Sequence, residues 1–266
     1  MDKGFVIIAQ NTDLVNYVQC AEQLAKSIIR VMPDAKVSLI SDDKTNCKVF
    51  HKVIPLPYGD QAPNSDWKLI NDWQVYEASP YEYTIKLEAD MYVPTSIDYW
   101  WDILKERDLV VSTNIRDFKQ NISHMRTYRR FIDDNQLPDT YNAITYFKKS
   151  EIAEKFFDIV KHVFENWSEF RDTLQCNPDE PATTDWVYAY ACHVVGIEDS
   201  TLPTFDEFSM IHMKQFINGM PSEKWTDTLV YEINEHTLRV NTIPQKYPFH
   251  YHIKSFSDKL KESFNE

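Results

Sequence analysis

Two short stretches carry side chains whose types and spacing suit metal and phosphate chemistry. In the first, Thr84-Ile85-Lys86-Leu87-Glu88-Ala89-Asp90-Met91-Tyr92-Val93-Pro94, a β-branched and apolar run delivers two carboxylates, Glu88 and Asp90, two positions apart. On an extended chain such residues project to one face, roughly 7 Å apart at the Cα atoms. That spacing suits one hard cation held by two carboxylates, with phosphate oxygens and water completing the shell. The second stretch, Phe249-His250-Tyr251-His252-Ile253-Lys254, sets two imidazoles two apart beside an ammonium group. Extended, both histidines face the same way and can add nitrogen to a carboxylate metal site. The plainer alternatives are a strand that ends in a solvated acidic turn and histidines satisfied within the fold.

The chain offers strands and helices to position these groups. Residues 5–9 read as a buried first strand of the kind found in a parallel sheet covered on both faces. Thr12 or Asp13 can cap the helix that follows, whose apolar spacing runs to Pro33. Residues 37–40 form a second strand, so a right-handed crossover is expected, with residues 9–13 and 41–43 sharing a crevice beyond the strand ends. A third strand is read at 49–54 and a helix at 67–78, capped by Asp66. Another strand is read at 108–112, a helix at 123–133, a strand at 142–147 and a long helix at 150–170. A helix at 187–195, headed by Thr183-Thr184-Asp185, a hairpin over 227–241 and a charged tail helix complete the chain.

Composition narrows the function classes. At 266 residues the chain suits one large α/β domain. Its four glycines, at 4, 59, 196 and 219, form neither a dinucleotide fingerprint nor a P-loop. Phosphate must therefore meet a metal, basic side chains or a helix N-terminus. The net charge of −13, from 28 Lys and Arg against 41 Asp and Glu, disfavours nonspecific nucleic-acid binding. A local exception is Arg116, Lys119, Arg126, Arg129 and Arg130, which reads as a solvated face or a binding patch. Cys20, Cys47, Cys176 and Cys192 show no zinc spacing. No run is long enough for a signal-peptide core or a membrane span, so a cytoplasmic setting is expected.

The run Ser79-Pro80-Tyr81-Glu82-Tyr83-Thr84-Ile85-Lys86-Leu87-Glu88-Ala89-Asp90-Met91-Tyr92-Val93 resembles a segment of GT-A-fold glycosyltransferases that carries a D-x-D motif, with Glu88 in place of the first Asp. The resemblance is tight over 79–94 and extends to the order of elements along most of the chain. It implies a single GT-A domain over 1–266, with a mixed, mostly parallel Rossmann-like sheet flanked by helices and a small acceptor-side β element. Residues 1–112 would hold the nucleotide-sugar and 113–266 the acceptor. It implies a glycosyltransferase that moves a hexosyl or pentosyl group from a nucleotide-diphosphate sugar, a UDP-sugar first among candidates, with Mn2+ or Mg2+ as cofactor. Ala9, Gln10, Asn11, Thr12 and Asp42 would meet the nucleoside, although Asp42 and Asp43 also read as turn formers. Lys68, Ala89, Asn142 and Lys254 would complete the donor site. Glu88, Asp90 and His252, with His250 as the alternate, would hold the metal. The His-x-Lys pattern lacks the glycine that some relatives carry between these residues. Asp185 would face the sugar and acceptor, either as general base or holding the sugar, and also reads as a helix cap.

The acceptor stays open between a saccharide, a small molecule and a modified base in DNA, since compact enzymes of this kind also occur in tailed phages, which would place the chain in a host cytoplasm. A metal-dependent nucleotidyltransferase and a non-catalytic nucleotide-sugar-binding protein are the rival readings. A glycosidase is disfavoured, because adjacent carboxylates on one strand rarely flank a sugar.

Overall fold

The computed structural model describes residues 2–123, 129–175, 181–196, 207–234 and 237–264. The chain's most apolar runs become β1 (Lys3–Ile8) and β2 (Val37–Ile40), followed by β3 (Lys52–Ile54) and β4 (Tyr83–Glu88), all mutually parallel. β5 (Met91–Tyr92) turns out of this sheet, which is completed by β6 (Leu109–Val111) and, after β7 (Asn114–Arg116), by β8 (Ile144–Lys148). The strand order is β3-β2-β1-β4-β8-β6, and β8 alone in this sheet runs antiparallel to its neighbours. β1 and β4 therefore lie side by side at the centre, with their carboxyl ends together.

Both faces of the sheet are covered, which explains why its strands read as continuous apolar runs rather than alternating ones. On one face the helix Tyr17–Val31 packs Leu24 and Ile28 against Phe5 and Ile7, beside Trp100 and Trp101. On the other, Phe156 and Val160 of the helix Glu151–Glu165 pack with Tyr188 of the helix Thr184–Val195 against Val6 and Phe147. Asn16 caps the first helix by accepting from the Gln19 N–H at 2.8 Å. Thr12, expected as the cap, instead closes a turn with the N–H groups of Leu14 and Val15. The segment read as one helix over 67–78 is a 3-10 helix, Lys68–Gln74, running into a single turn at Val75–Ala78, without a cap from Asp66. The expected helix over 123–133 is seen as Arg130–Asp134, while 124–128 lie outside the described residues.

A second sheet assembles late-chain strands on the tip of the first. β9 (Ser209–His212) precedes a three-stranded sheet of β10 (Tyr231–Ile233), β11 (Leu238–Val240) and β12 (Ile243–Pro244), which enlarges the expected hairpin. β13 (Phe249–His250) then joins a four-stranded sheet in the order β5-β13-β9-β7. The final helix, Phe256–Phe264, docks on the first helix through Gln19, whose amide donates to Asp258 Oδ1 at 2.7 Å.

The basic cluster does not act as one surface. Arg116 is buried with its guanidinium 4.2 Å from the centre of the Tyr247 ring, and Arg129 is buried in ion pairs, whereas Lys119 and Arg130 are exposed. Arg126 and Cys176 lie outside the described residues. Among the described residues, Cys20, Cys47 and Cys192 form no disulfide.

β1 carries a glycine for a steric reason. Tyr81 lies across Gly4, its hydroxyl sharing hydrogen bonds with Ser38 Oγ at 2.6 Å and His51 Nδ1 at 3.1 Å, and an added Cβ would overlap the ring. Gly4→Ala should cost about 1–3 kcal/mol as overpacking, read as a lower urea midpoint. An unchanged midpoint would show that the ring yields.

Candidate active site

β4 ends at Glu88, and Ala89-Asp90 form a tight turn into β5, so the extended geometry assumed for the two carboxylates does not persist. Both side chains nonetheless line one cavity of about 450 Å³, together with Ala9 and Gln10 from just beyond β1. This is the crevice outside the carboxyl ends of parallel strands where ligands bind in open α/β sheets. Gln10 is fixed in it by accepting from the Asn71 amide at 2.8 Å.

The late histidines reach the turn through backbone pairing. β13 runs antiparallel to β5 with His250 opposite Met91, and the Tyr251 N–H donates to the Asp90 carbonyl at 3.2 Å. His250 Nε2 then stands 3.0 Å from Asp90 Oδ2 and 3.5 Å from Glu88 Oε2. Extended structure stops there. The Ile253 N–H turns back to the Tyr251 carbonyl at 2.6 Å around His252, whose φ is +60°. That is the positive-φ form of the γ-turn, which is rare and strained. Trp225 Nε1 donates to the same Tyr251 carbonyl at 2.9 Å and holds the turn closed. Lys254 emerges from it to donate to Asp90 Oδ2 at 2.6 Å and to the His252 carbonyl at 2.9 Å. The two histidines reach the cavity from a strand end and a turn, not from one face of a strand.

A third imidazole was not singled out in the sequence. β9 pairs parallel to β13 with His212 opposite His250, and the two ring centres lie 4.6 Å apart. Its only sequence signal is the apolar pair Met210-Ile211 just before it, too short to distinguish from a loop.

Electrostatics in the cavity follow from burial and crowding. Burial alone would raise the Asp90 carboxyl, but His250 and Lys254 outweigh it and hold it well below the usual carboxylate range. Glu88 is pushed up by burial and by the Asp90 charge, against an opposing pull from His250. His212 falls well below an ordinary imidazole through burial and the neighbouring His250 and Lys214. Burial, then Lys254 and His250, bring His252 down to about 4. A divalent cation of the kind GT-A enzymes use fits these residues. Asp90, His250 and His252 each offer a ligand atom, all within 4.8 Å of one another, and His250 Nδ1 and His212 Nδ1 are buried without a hydrogen-bond partner among the described residues. Neutral imidazole and ionised carboxylate are the forms that bind metal.

The opposite wall is aromatic and ion-paired. Asp185 follows Thr184 at the start of the helix Thr184–Val195, which begins without a side-chain cap. One of its oxygens accepts from Arg129 at 2.8 Å and the other from the Asn142 N–H at 2.9 Å. Burial raises its carboxyl, yet Arg129 and the Asn142 N–H outweigh that and leave it lowered. An ionised, doubly bonded carboxylate is a weak general base and a good fixed acceptor. Arg129 also bonds Asp139 at 2.6 Å and lies 4.0 Å from the Tyr141 ring centre. Phe131 stacks on Trp186 beside it, and both rings line the cavity. Lys68 lines the cavity while paired with Asp60 at 2.7 Å. Beneath the floor, Lys86 is fully buried and pairs with Asp72 at 2.5 Å, which also accepts from the Tyr188 hydroxyl at 2.5 Å.

Four residues assigned to the donor site in the sequence do not line the cavity. Asn11 accepts from the Val18 N–H, and Thr12 closes its turn. Asp42 accepts from the Leu56 N–H at 3.0 Å and so ties β2 to the chain after β3, as a turn former does. Asn142 is buried, with its N–H on Asp185. Asp72, Arg129, Tyr141 and His212 line the cavity without having been singled out for it.

The lowered Asp185 carboxyl makes a signed prediction. A depressed carboxyl stabilises the fold above its unfolded pKa of about 3.9 and ceases to do so as pH falls through its folded value. Asp185→Asn should therefore cost about 1.5–3 kcal/mol at pH 7 and progressively less below about pH 4. Urea unfolding at the two pH values reads this, and an equal cost at both would rule the ion pair out as the cause.

No protein-family model and no curated protein matches the sequence. Among solved structures the chain is similar to the galactosyltransferase LgtC in complex with donor and acceptor sugar analogs, at 13% identity and a TM-score of 0.54, over 98% of this chain and 95% of that one. An active-site mutant of LgtC gives 13% identity and a TM-score of 0.52 over 98% and 95%. At that identity the likeness establishes the fold: a mixed, mostly parallel sheet flanked by helices, as in GT-A glycosyltransferases.

Proposed function

We propose that the chain is a metal-dependent glycosyltransferase that takes a sugar from a nucleotide-diphosphate donor, with a UDP-sugar as first candidate, and passes it to an acceptor hydroxyl. The observation that carries this reading is the convergence of Asp90, His250, His252 and Lys254 at the carboxyl ends of β1 and β4. A fold shared with sugar-transferring enzymes supports it.

In this reading Ala9 and Gln10 border the nucleoside, and Asn71 keeps the Gln10 amide oriented. Glu88, Asp90, His250 and His252 hold Mn2+ or a similar ion. When bound, that ion supplies Lewis-acid stabilisation of charge on the departing diphosphate. Lys254 holds Asp90 in place and lies close enough to the same carboxylate to share a phosphate oxygen with it. Residues 1–112 supply most of the donor side, joined there by His250, His252 and Lys254, and the other later residues supply the acceptor side. Asp185, ionised and held by Arg129, presents a fixed acceptor for sugar hydroxyls rather than a proton-abstracting base. Phe131 and Trp186 offer aromatic faces to a sugar ring. The burial of Arg116 and Arg129 favours a saccharide acceptor over DNA, since neither is free to grip a phosphate backbone.

Nucleoside-diphosphate release from a panel of nucleotide-sugars with MnCl2, with and without saccharide acceptors, tests the proposal. Asp90→Asn should lower that release by about 100-fold or more, the scale of losing one charge-stabilising group. Release unchanged in that variant would defeat the proposal.

A further inference from the structure

We infer that Asp72, held from below by Lys86 and Tyr188, selects the transferred sugar by its hydroxyl groups, so that the site takes a neutral hexose or pentose and excludes a uronate. This rests on the proposed function for there being a sugar nucleotide at all, and goes beyond it in naming the selecting residue and the class it selects.

Three elements fix where Asp72 stands. It belongs to the 3-10 helix Lys68–Gln74 and lines the cavity while only 4% exposed. Lys86 lies two residues before Glu88 on β4, so both project to the same face of the sheet. The Lys86 ammonium pairs with Asp72 Oδ1 at 2.5 Å and reaches no other acceptor among the described residues. Tyr188 follows Asp185 by three residues, one turn further along the same side of the helix Thr184–Val195. Its hydroxyl donates to Asp72 Oδ2 at 2.5 Å. Asp72 is thus the floor below the space between Glu88 and Asp185. In the proposed reading, a sugar joined to a metal-bound diphosphate lies in that space.

The floor is chemically one-sided. A carboxylate oxygen that accepts one hydrogen bond keeps a second lone pair, so each Asp72 oxygen can still accept from a sugar hydroxyl. Lys86 is fully buried, and the charge that balances Asp72 at a distance is therefore out of a ligand's reach at contact. Glu88 and Asp185, which face the same space, are also carboxyl groups. The nearby cations are turned towards the protein. Arg129 bonds Asp139, Asp185 and the Thr140 carbonyl, and Lys68 gives two of its three donors to Asp60 and the Ala62 carbonyl. A hydroxyl-bearing ring answers such acceptors with donors, whereas a uronate adds a fourth carboxyl group and an unfavourable like-charge contact. An apolar floor would fold as well as a buried ion pair does, but it could not orient a hydroxyl.

Calorimetric titration of the intact chain in MnCl2 with UDP, UDP-glucose, UDP-galactose, UDP-xylose, UDP-glucuronate and UDP-galacturonate reads this without any acceptor. Each uronate should bind at least about tenfold more weakly than its neutral counterpart. Asp72→Asn combined with Lys86→Met removes both buried charges together and leaves neither unpaired. That double variant should lower affinity for the best neutral UDP-sugar by about tenfold or more, the scale of a hydrogen bond to a charged group. UDP carries no sugar, so its affinity should stay within about twofold and reports that fold and nucleotide end are intact. A uronate that binds the parent as tightly as its neutral counterpart would overturn the inference, whether or not the variant folds. Equal losses for UDP and the neutral sugar in the variant would also overturn it, as a purely structural ion pair. Binding of UDP-sugars in either case leaves the proposed function standing, whereas failure of UDP and every UDP-sugar to bind would remove both.

Discussion

The pairing of β5 with β13 is the contact on which the site depends. It joins two strands of two residues each, through His250 opposite Met91 and Phe249 opposite Tyr92. So short a ladder has little stability of its own. What holds it is the material behind it: β9 on the far side of β13, Trp225 packed against Phe249 and Phe256, and the last helix docked on the first. The bond between Asp90 and His250 spans 160 positions, and that between Asp90 and Lys254 spans 164. Closing such a loop costs conformational entropy that only the surrounding core can offset. The chemistry-bearing cluster thus exists only once the two ends of the chain have met.

Charge is arranged on a similar principle. The chain carries a net charge of −13, yet Lys68, Arg129, Lys214, Lys254 and three histidines gather around the cavity. At physiological ionic strength fields decay over about 8 Å, so distant surface acids weigh less on a bound anion than the groups lining the wall. Three acids of the wall each have their own cation: Asp90 with Lys254, Asp185 with Arg129, Asp72 with Lys86. Acids neutralised in this way do not repel a diphosphate as bare carboxylates would. A polyanion, whose contacts extend far beyond the cavity, would meet the unbalanced surface.

How much of this was legible in the sequence depends on the range of the interaction responsible. β1, β2 and β4 were readable because burial on both faces leaves continuous apolar runs, and the acids at the end of β4 were readable by their spacing. The turn at Ala89-Asp90 and the γ-turn at His252 were not, since neither carries the glycine that announces an unusual backbone. Arg129 read as part of a basic face because composition cannot say which member of a cluster turns inward. Here one stacks on Tyr141 and binds Asp139 and Asp185, while its neighbour Arg130 stays in water. The cap at Asn16 was missed because Thr12 and Asp13 precede it with comparable propensity, and Thr12 closes a local turn instead. The joining of His212 to His250 rests on a parallel pairing between strands far apart in sequence, which no local pattern encodes.

Two breaks of local rules flank Asp90. Lys86 places a charge inside a buried strand, and His252 places a branched ring where glycine belongs. Neither is explained by stability: replacing a buried ion pair by apolar side chains is often neutral or stabilising by about 1–4 kcal/mol, and positive φ costs about 1–3 kcal/mol. Each is over-determined by its surroundings, Lys86 by Asp72 under the Tyr188 hydroxyl, and His252 by Trp225 and Lys254 gripping the carbonyls on either side of its γ-turn. Costs of that size, incurred at two separate points and directed at the same cavity, are what a fold retains when the residues serve binding rather than folding. Lys86 holds Asp72 in place on the floor, and the turn at His252 sets an imidazole and the ammonium of Lys254 on opposite sides of one bend, so that Lys254 bonds Asp90 and His252 stands near it.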